Sequence, residues 1–248
     1  MRAHTMDEHT AIGVTDAVKV YGHGDTAVRA LDRVSLDLPA RRFTAIMGPS
    51  GSGKSTLMHC LAGLDTVDAG RVRFGATELT GLSDSALTRL RRDRVGFVFQ
   101  SFNLLPTMTA EENILLGLWL AGRRPDREWY TTVVDALGLR PRLRHKPCEL
   151  SGGQQQRVAC ARALVGRPEV VFADEPTGSL DSRSGAEVLG FLRMSVRELG
   201  QTVVMVTHDP VAASYADHGV LLADGKVAAQ LARPTTDTVL AALAGLGA

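Results

Sequence analysis

Residues Gly48 to Ser55 read GPSGSGKS, three glycines set among small polar residues and closed by a lysine and a serine. Glycines let consecutive backbone N–H groups turn toward one point, where they hold phosphate oxygens, and a helix starting there adds positive potential. In such a loop the lysine reaches the terminal phosphates and the final hydroxyl ligates Mg²⁺. The candidate nucleotide contacts are therefore Gly48, Pro49, Ser50, Gly51, Ser52, Gly53, Lys54 and Ser55, with Thr56 adding a further hydroxyl. The bland alternative is a glycine turn that merely caps a helix.

Two other constellations suit phosphoryl transfer to water, which needs a metal anchor and a group that orients or polarises the attacking water. In Val170 to Glu175 (VVFADE) four apolar residues run into two acids. Adjacent carboxylates at the end of a buried strand are costly unless a cation or substrate uses them. Asp174 is the expected Mg²⁺ anchor and Glu175 the expected base. His208, in VMVTHDP, follows the next apolar run, and at a strand end beside a nucleotide it is expected to contact the γ-phosphate.

These groups need a scaffold that brings strand ends together. Arg42 to Met47 (RFTAIM) reads as a strand entering the glycine-rich turn, and Lys54 to Leu64 reads as the helix leaving it. Val170 to Ala173 and Val203 to Val206 are apolar runs suited to a parallel sheet buried on both faces. Between them, Ser184 to Leu199 carries apolar residues at helical spacing and stops at Gly200, as a crossover helix does. Ala17 to Leu38 alternates short β-like runs with turns and reads as an antiparallel segment. From about Ser101 to Cys148 helix signals dominate: a Thr109–Glu112 capping box opens one helix, and Trp129 to Leu137 forms another closed by Gly138.

A length of 248 residues suits one large α/β unit. Lys and Arg total 28 against 27 Asp and Glu, a net charge of +1 that gives no basic footprint for a nucleic-acid partner. Cys60, Cys148 and Cys160 lack paired spacing and are expected to be packing residues in a reducing compartment. The most apolar stretch, Ile114 to Gly122, is far short of the ~20 residues that cross a bilayer. The opening MRAHTMDEHT lacks the apolar core of a secretory signal, so a cytoplasmic location is expected.

Leu150 to Arg157 reads LSGGQQQR. It is a capping box, Ser151 with Gln154, but a cap alone does not ask for Gly152 and Gly153, whose small size bares the first amides of a helix as an anion site. This run resembles the signature of the ATP-binding cassette family, and nearly the whole chain shares the resemblance. It implies that Ser151, Gly152, Gly153 and Gln154 face the nucleotide of a second subunit. It further implies that Gln100 senses Mg²⁺ and attacking water and links to the permease, that Asp181 in SLD crosses the dimer interface, and that Tyr21 stacks on adenine. Ser179 departs from the asparagine found in many relatives, yet keeps a hydrogen-bonding side chain. FQSFNLLPTMTAEENI followed by ADEPTGSLD resembles the lipoprotein-release and macrolide-export branch, which includes the cell-division ATPase.

The resemblance implies an α/β fold: a P-loop NTPase core of RecA-like type with an N-terminal antiparallel β subdomain and an inserted helical subdomain. As one domain over residues 1–248, the β segment and core would occupy about 12–100 and 158–230, the helical subdomain about 101–157 and a tail about 231–248. The implied function is ATP hydrolysis with ATP and Mg²⁺, by a homodimer bound at the inner face of the cell membrane to a separately encoded permease of the macrolide-export or cell-division type. Glu175 with His208 would make both sites of that dimer hydrolytically competent. The alternatives are a soluble cassette ATPase of DNA repair or translation, and a P-loop kinase or non-hydrolytic binding module.

Overall fold

The structure, a computed structural model, describes residues 10–246. The chain opens with β1 (Thr10–Tyr21) and β2 (Val28–Pro39), then β3 (Phe43–Met47) and α1 (Lys54–Leu61). β4 (Ala69–Phe74), β5 (Thr77–Glu78), α2 (Asp84–Arg94) and β6 (Val95–Phe99) follow. The middle is helical, with α3 (Ala110–Leu120), α4 (Arg127–Ala136) and α5 (Gly152–Leu164). The chain continues through β7 (Val170–Asp174), α6 (Ser182–Arg197), β8 (Thr202–Val206), the short α7 (Pro210–Ala213), β9 (His218–Ala223), β10 (Lys226–Ala232) and α8 (Thr236–Ala244).

Six strands form the central sheet in the order β10-β9-β3-β8-β7-β6. Every neighbouring pair is parallel except β9 and β10, which run antiparallel. Parallel neighbours end on the same edge, so the residues following β3, β8, β7 and β6 are delivered side by side.

Alternation along each strand feeds two cores. On β3, Phe43, Ala45 and Met47 join the cluster containing α3, α5 and α6, while Ile46 joins the cluster around α1. On β7, Val171 and Ala173 take the first side, Val170 and Phe172 the second. With both faces covered, these strands have no polar side to present, which is why they read as unbroken apolar runs. Each large side chain sealed this way, Phe43 and Phe172 among them, contributes roughly 1.5–3 kcal/mol.

A second sheet, β2-β1-β4-β5, is antiparallel. It lays Ile12, Val14, Leu31, Leu38 and Phe74 into the core around α1. The antiparallel segment expected from Ala17 thus begins seven residues earlier, at Thr10, and is completed by β4 and β5, whose Arg71 and Arg73 masked the strand pattern. Other boundaries shift for local reasons. α1 ends at Leu61, where Gly63 turns left-handed with φ 66°, and α6 starts at Ser182 because the Asp181 side chain caps it. The tail holds a helix, α8, whose Val239 is fully buried.

Cys60 and Cys160 are buried packing residues, and burial pushes both thiols up to about 12. Cys148 is exposed, which corrects its reading as a packing residue. It sits in a short 3₁₀ turn, Pro147–Glu149, whose buried member is Pro147. Among the described residues no helix is long and apolar enough to cross a membrane.

Candidate functional site

The phosphate loop is the connection from β3 to α1. Gly48, Gly51 and Gly53 have φ of 146°, 79° and 96°, a region that side-chain-bearing residues rarely adopt. At Gly48 and Gly53 space is also decisive: a Cβ would lie 2.1 Å from the Leu222 carbonyl oxygen and 2.2 Å from that of Ala30. Gly53 stands at the helix N-cap with no side-chain cap, so the first amides of α1 are left for a ligand. Lys54 folds back over the loop, its Nζ donating to the Pro49 carbonyl at 2.8 Å. Burial depresses the Lys54 pKa, while the Glu175 and Asp174 carboxylates oppose that shift. Ser55 is exposed at the helix start, and Thr56 lies against the Tyr21 phenol.

β7 ends in Asp174, half-buried, its carboxylate accepting no hydrogen bond among the described residues. Burial raises its pKa, His59 and Lys54 act against this, and the Glu175 charge adds to it. The folded chain therefore holds this proton more tightly than the unfolded chain, and stability falls as pH rises through the carboxylate range, leaving the full cost at neutral pH. Asp174→Asn should melt a few degrees above the parent in nucleotide-free form at pH 7. That gain should shrink on acidification below the ordinary carboxylate pKa, as followed by calorimetry.

Glu175 is the next residue, and its backbone is left-handed at φ 46°, a costly state for a residue with a side chain. Its amide donates to the Val206 carbonyl at 2.9 Å, which fixes the turn to β8. The His208 Nδ1–H donates to Glu175 Oε1 at 2.7 Å, and the buried Thr207 hydroxyl donates to Oε2 at 3.3 Å. A His whose Nδ1 is engaged keeps Nε2 for a ligand. The His208 side chain is 74% exposed and the Glu175 side chain 19%.

Gln100 follows β6 and is exposed. Its carbonyl accepts from the Ser179 hydroxyl at 2.9 Å. A Cβ at Gly178 would come within 2.8 Å of Gln100 Nε2, so the glutamine lies across that glycine. Asp181 caps α6 by accepting from the amides of Arg183 and Ser184 at 3.1 and 3.0 Å, and these bonds with the Ser184 hydroxyl hold its carboxyl below the usual range. Ser151 and Gln154 form the reciprocal cap of α5 at 3.3 and 3.0 Å. Gly153 has a packing reason as well, because a Cβ there would lie 2.7 Å from Ser184 Oγ.

The sheet thus brings the phosphate loop, Asp174, Glu175, His208 and Gln100 to one edge, with Tyr21 beside α1. No hydrogen bond or ion pair among the described residues joins Ser151, Gly152, Gly153 or Gln154 to the phosphate loop.

The ABC transporter family model matches residues 31–178. The chain belongs to the ABC transporter family. Over 224 residues it is 46% identical to a macrolide export ATP-binding/permease protein of Marinobacter nauticus, covering 90% of this chain but 35% of that protein. The chain thus spans about a third of the length of several curated relatives it matches. It is 45% identical over 222 residues to the lipoprotein-releasing system ATP-binding protein of Geobacter metallireducens, covering 87% of this chain and 97% of that one. Among solved structures, a dimeric ATP-binding cassette in a post-hydrolysis state with ADP and Pi superposes with a TM-score of 0.80 at 39% identity, covering 90% and 98% of the two chains. This ABC cassette therefore has the P-loop NTPase fold with added antiparallel and helical parts.

The cassette also contains Gln156, which the sequence reading passed over. Fully buried on α5, its amide donates to the carbonyls of Phe99 at 3.1 Å and Pro176 at 2.6 Å. These residues flank Gln100 and Glu175, so one side chain ties the Ser151 helix to two strand ends. The available signal was a glutamine on a helix face otherwise lined by Gly153, Ala159, Cys160 and Ala163.

Proposed function

We propose that the chain hydrolyses ATP with Mg²⁺ as one half of a dimer that sandwiches nucleotide, and that it thereby drives a membrane permease. The supporting observation is the distribution of motifs. Within one chain the loop, acids, histidine and glutamine converge, while the Ser151–Gln154 helix start stands apart with bared glycine amides. Two copies placed head to tail put that helix start over the other copy's phosphates, and the dimeric cassette with ADP and Pi is consistent with this. Residues 48–56 hold the phosphates, Tyr21 faces adenine, Glu175 polarises the water, His208 Nε2 touches the γ-phosphate, and Asp181 lies near the dimer seam. Gln100 faces the metal and water.

The residues fit Mg²⁺. Asp174 is a half-buried carboxylate without a hydrogen-bond donor, and Ser55 offers a hydroxyl at the exposed helix start. With Gln100 they supply hard oxygen ligands. When bound, the ion neutralises charge on the phosphate oxygens.

We read residues 1–248 as one cassette with a helical subdomain over about 101–157. It would sit at the inner membrane face, with the permease seated beside the segment after Gln100. There a cavity of about 390 Å³ is lined by Phe97, Phe99, Asn103, Arg123 and Arg162. Arg162 donates to the carbonyls of Phe102 and Asn103 at 2.9 and 2.5 Å, so load on that segment reaches α5. The relatives point to export or lipoprotein release and lend no support to a DNA-repair or translation ATPase. Phosphate release by the purified chain with Mg²⁺ and ATP tests the reading, with Lys54→Ala as the inactive control. Turnover equal in both proteins, or none in the parent even with its permease, refutes it.

A further inference from the structure

Tyr21 ends β1 with 43% of its surface exposed, yet its ring is not free. The phenol O–H donates to Asp65 Oδ2 at 2.7 Å. The other carboxylate oxygen, Oδ1, accepts from Lys19 Nζ at 2.7 Å and from the Thr66 amide at 2.7 Å. Lys19 is nearly buried, donates a second time to the Thr66 carbonyl at 2.7 Å, and lies 5.2 Å from the centre of the Tyr21 ring. Burial would raise the Asp65 pKa, but the hydrogen bonds from Lys19, Tyr21 and Thr66 outweigh it and hold the carboxyl below its usual range. Burial and the bond to Asp65 both raise the Tyr21 phenol pKa, so it stays protonated and keeps donating.

The backbone around this group is equally constrained. Asp65 lies four residues beyond α1, and the amides of Leu64 and Asp65 both donate to the His59 carbonyl, at 2.8 and 3.2 Å. Asp68 accepts from the Val20 amide at 2.6 Å and donates its own amide to the Val18 carbonyl at 2.8 Å. The same helix that begins at Lys54 in the phosphate loop thus ends in a turn that grips the tip of β1.

We infer that Asp65, fixed by Lys19, is a positioning residue that holds the Tyr21 ring ready for the base of a nucleotide whose phosphates lie on the loop at the other end of α1. This rests on the reading of Tyr21 as the adenine-facing residue. An exposed ring at a strand end loses rotamer freedom when a base stacks on it, and pinning its hydroxyl in advance removes that cost. Releasing the pin should weaken ATP binding roughly three- to tenfold, the range expected for ordering one side chain. The loss should appear in KM and not in kcat, because neither residue reaches the reacting phosphate.

The test measures ATP Kd by calorimetry, together with KM and kcat, for Tyr21→Ala, Tyr21→Phe, Asp65→Ala and the Tyr21→Phe/Asp65→Ala pair, with melting temperatures recorded for each. The expected result is a rise in Kd for Tyr21→Phe and for Asp65→Ala, with the pair no weaker than Tyr21→Phe alone. Equal further loss from Asp65→Ala in the Tyr21→Phe background would show that Asp65 acts on the fold and not through the phenol, and would overturn the inference. If the Asp65 variant melts too low to assay, Tyr21→Phe decides alone, since unchanged Kd there also overturns it. Unchanged Kd in Tyr21→Ala refutes the adenine reading itself, an outcome separable from failure of the pin.

Discussion

Glu175→Gln should bind ATP and stop, with phosphate release reduced by at least about a hundredfold, the scale of a lost general base. The geometry explains why the defect is chemical and not structural. The Glu175 turn is held by its amide on Val206, a bond the substitution keeps. Glutamine also retains an oxygen for the His208 Nδ1–H and is nearly the same size. On the proposed reading, what disappears is the charge that polarises water, so ATP should stay intact between two copies. Light scattering with ATP and Mg²⁺ should read twice the monomer mass, with ADP giving monomer. A variant that turns over ATP at the parent rate would remove Glu175 from the chemistry. One that stays monomeric with ATP would remove the sandwich.

Gly53→Ala should abolish nucleotide binding and destabilise the fold, whereas Gly51→Ala should be far milder. Both glycines are left-handed, so both substitutions carry about 1 kcal/mol of backbone cost. They differ in space. A Cβ at Gly51 meets nothing within 4 Å, while at Gly53 it lands 2.2 Å from the Ala30 carbonyl oxygen. Backbone cannot yield as a flexible side chain does, so β2 and the loop must separate, and the loss at Gly53 should exceed 3 kcal/mol or so. Urea denaturation and ATP calorimetry on the two variants measure the contrast. Equal stability of both would mean that the loop relaxes freely.

Much of this was legible because it is local. The phosphate loop, the VVFADE strand end and the Ser151–Gln154 cap each show their pattern within a few consecutive residues. What escaped is held together across the chain. Asp65 and Tyr21 are 44 positions apart, and nothing near either residue names the other. Gln156 meets Phe99 from 57 positions away, through a helix face known only once packed. β4 hid behind Arg71 and Arg73, which alternate with the buried Val72 and Phe74, and α8 looked like a tail because its alanines anchor through little more than Val239.

Gln156 also limits how the molecule moves. A single amide holds the last carbonyl of β6 and the carbonyl just past Glu175, from a helix whose opening turn would grip the nucleotide of another copy. Tilting α5 therefore drags both strand ends at once. On the proposed reading, engagement of a neighbour's nucleotide and alignment of Glu175 would become one coordinate, and a half-closed pair would leave each glutamate out of register with the phosphate it serves.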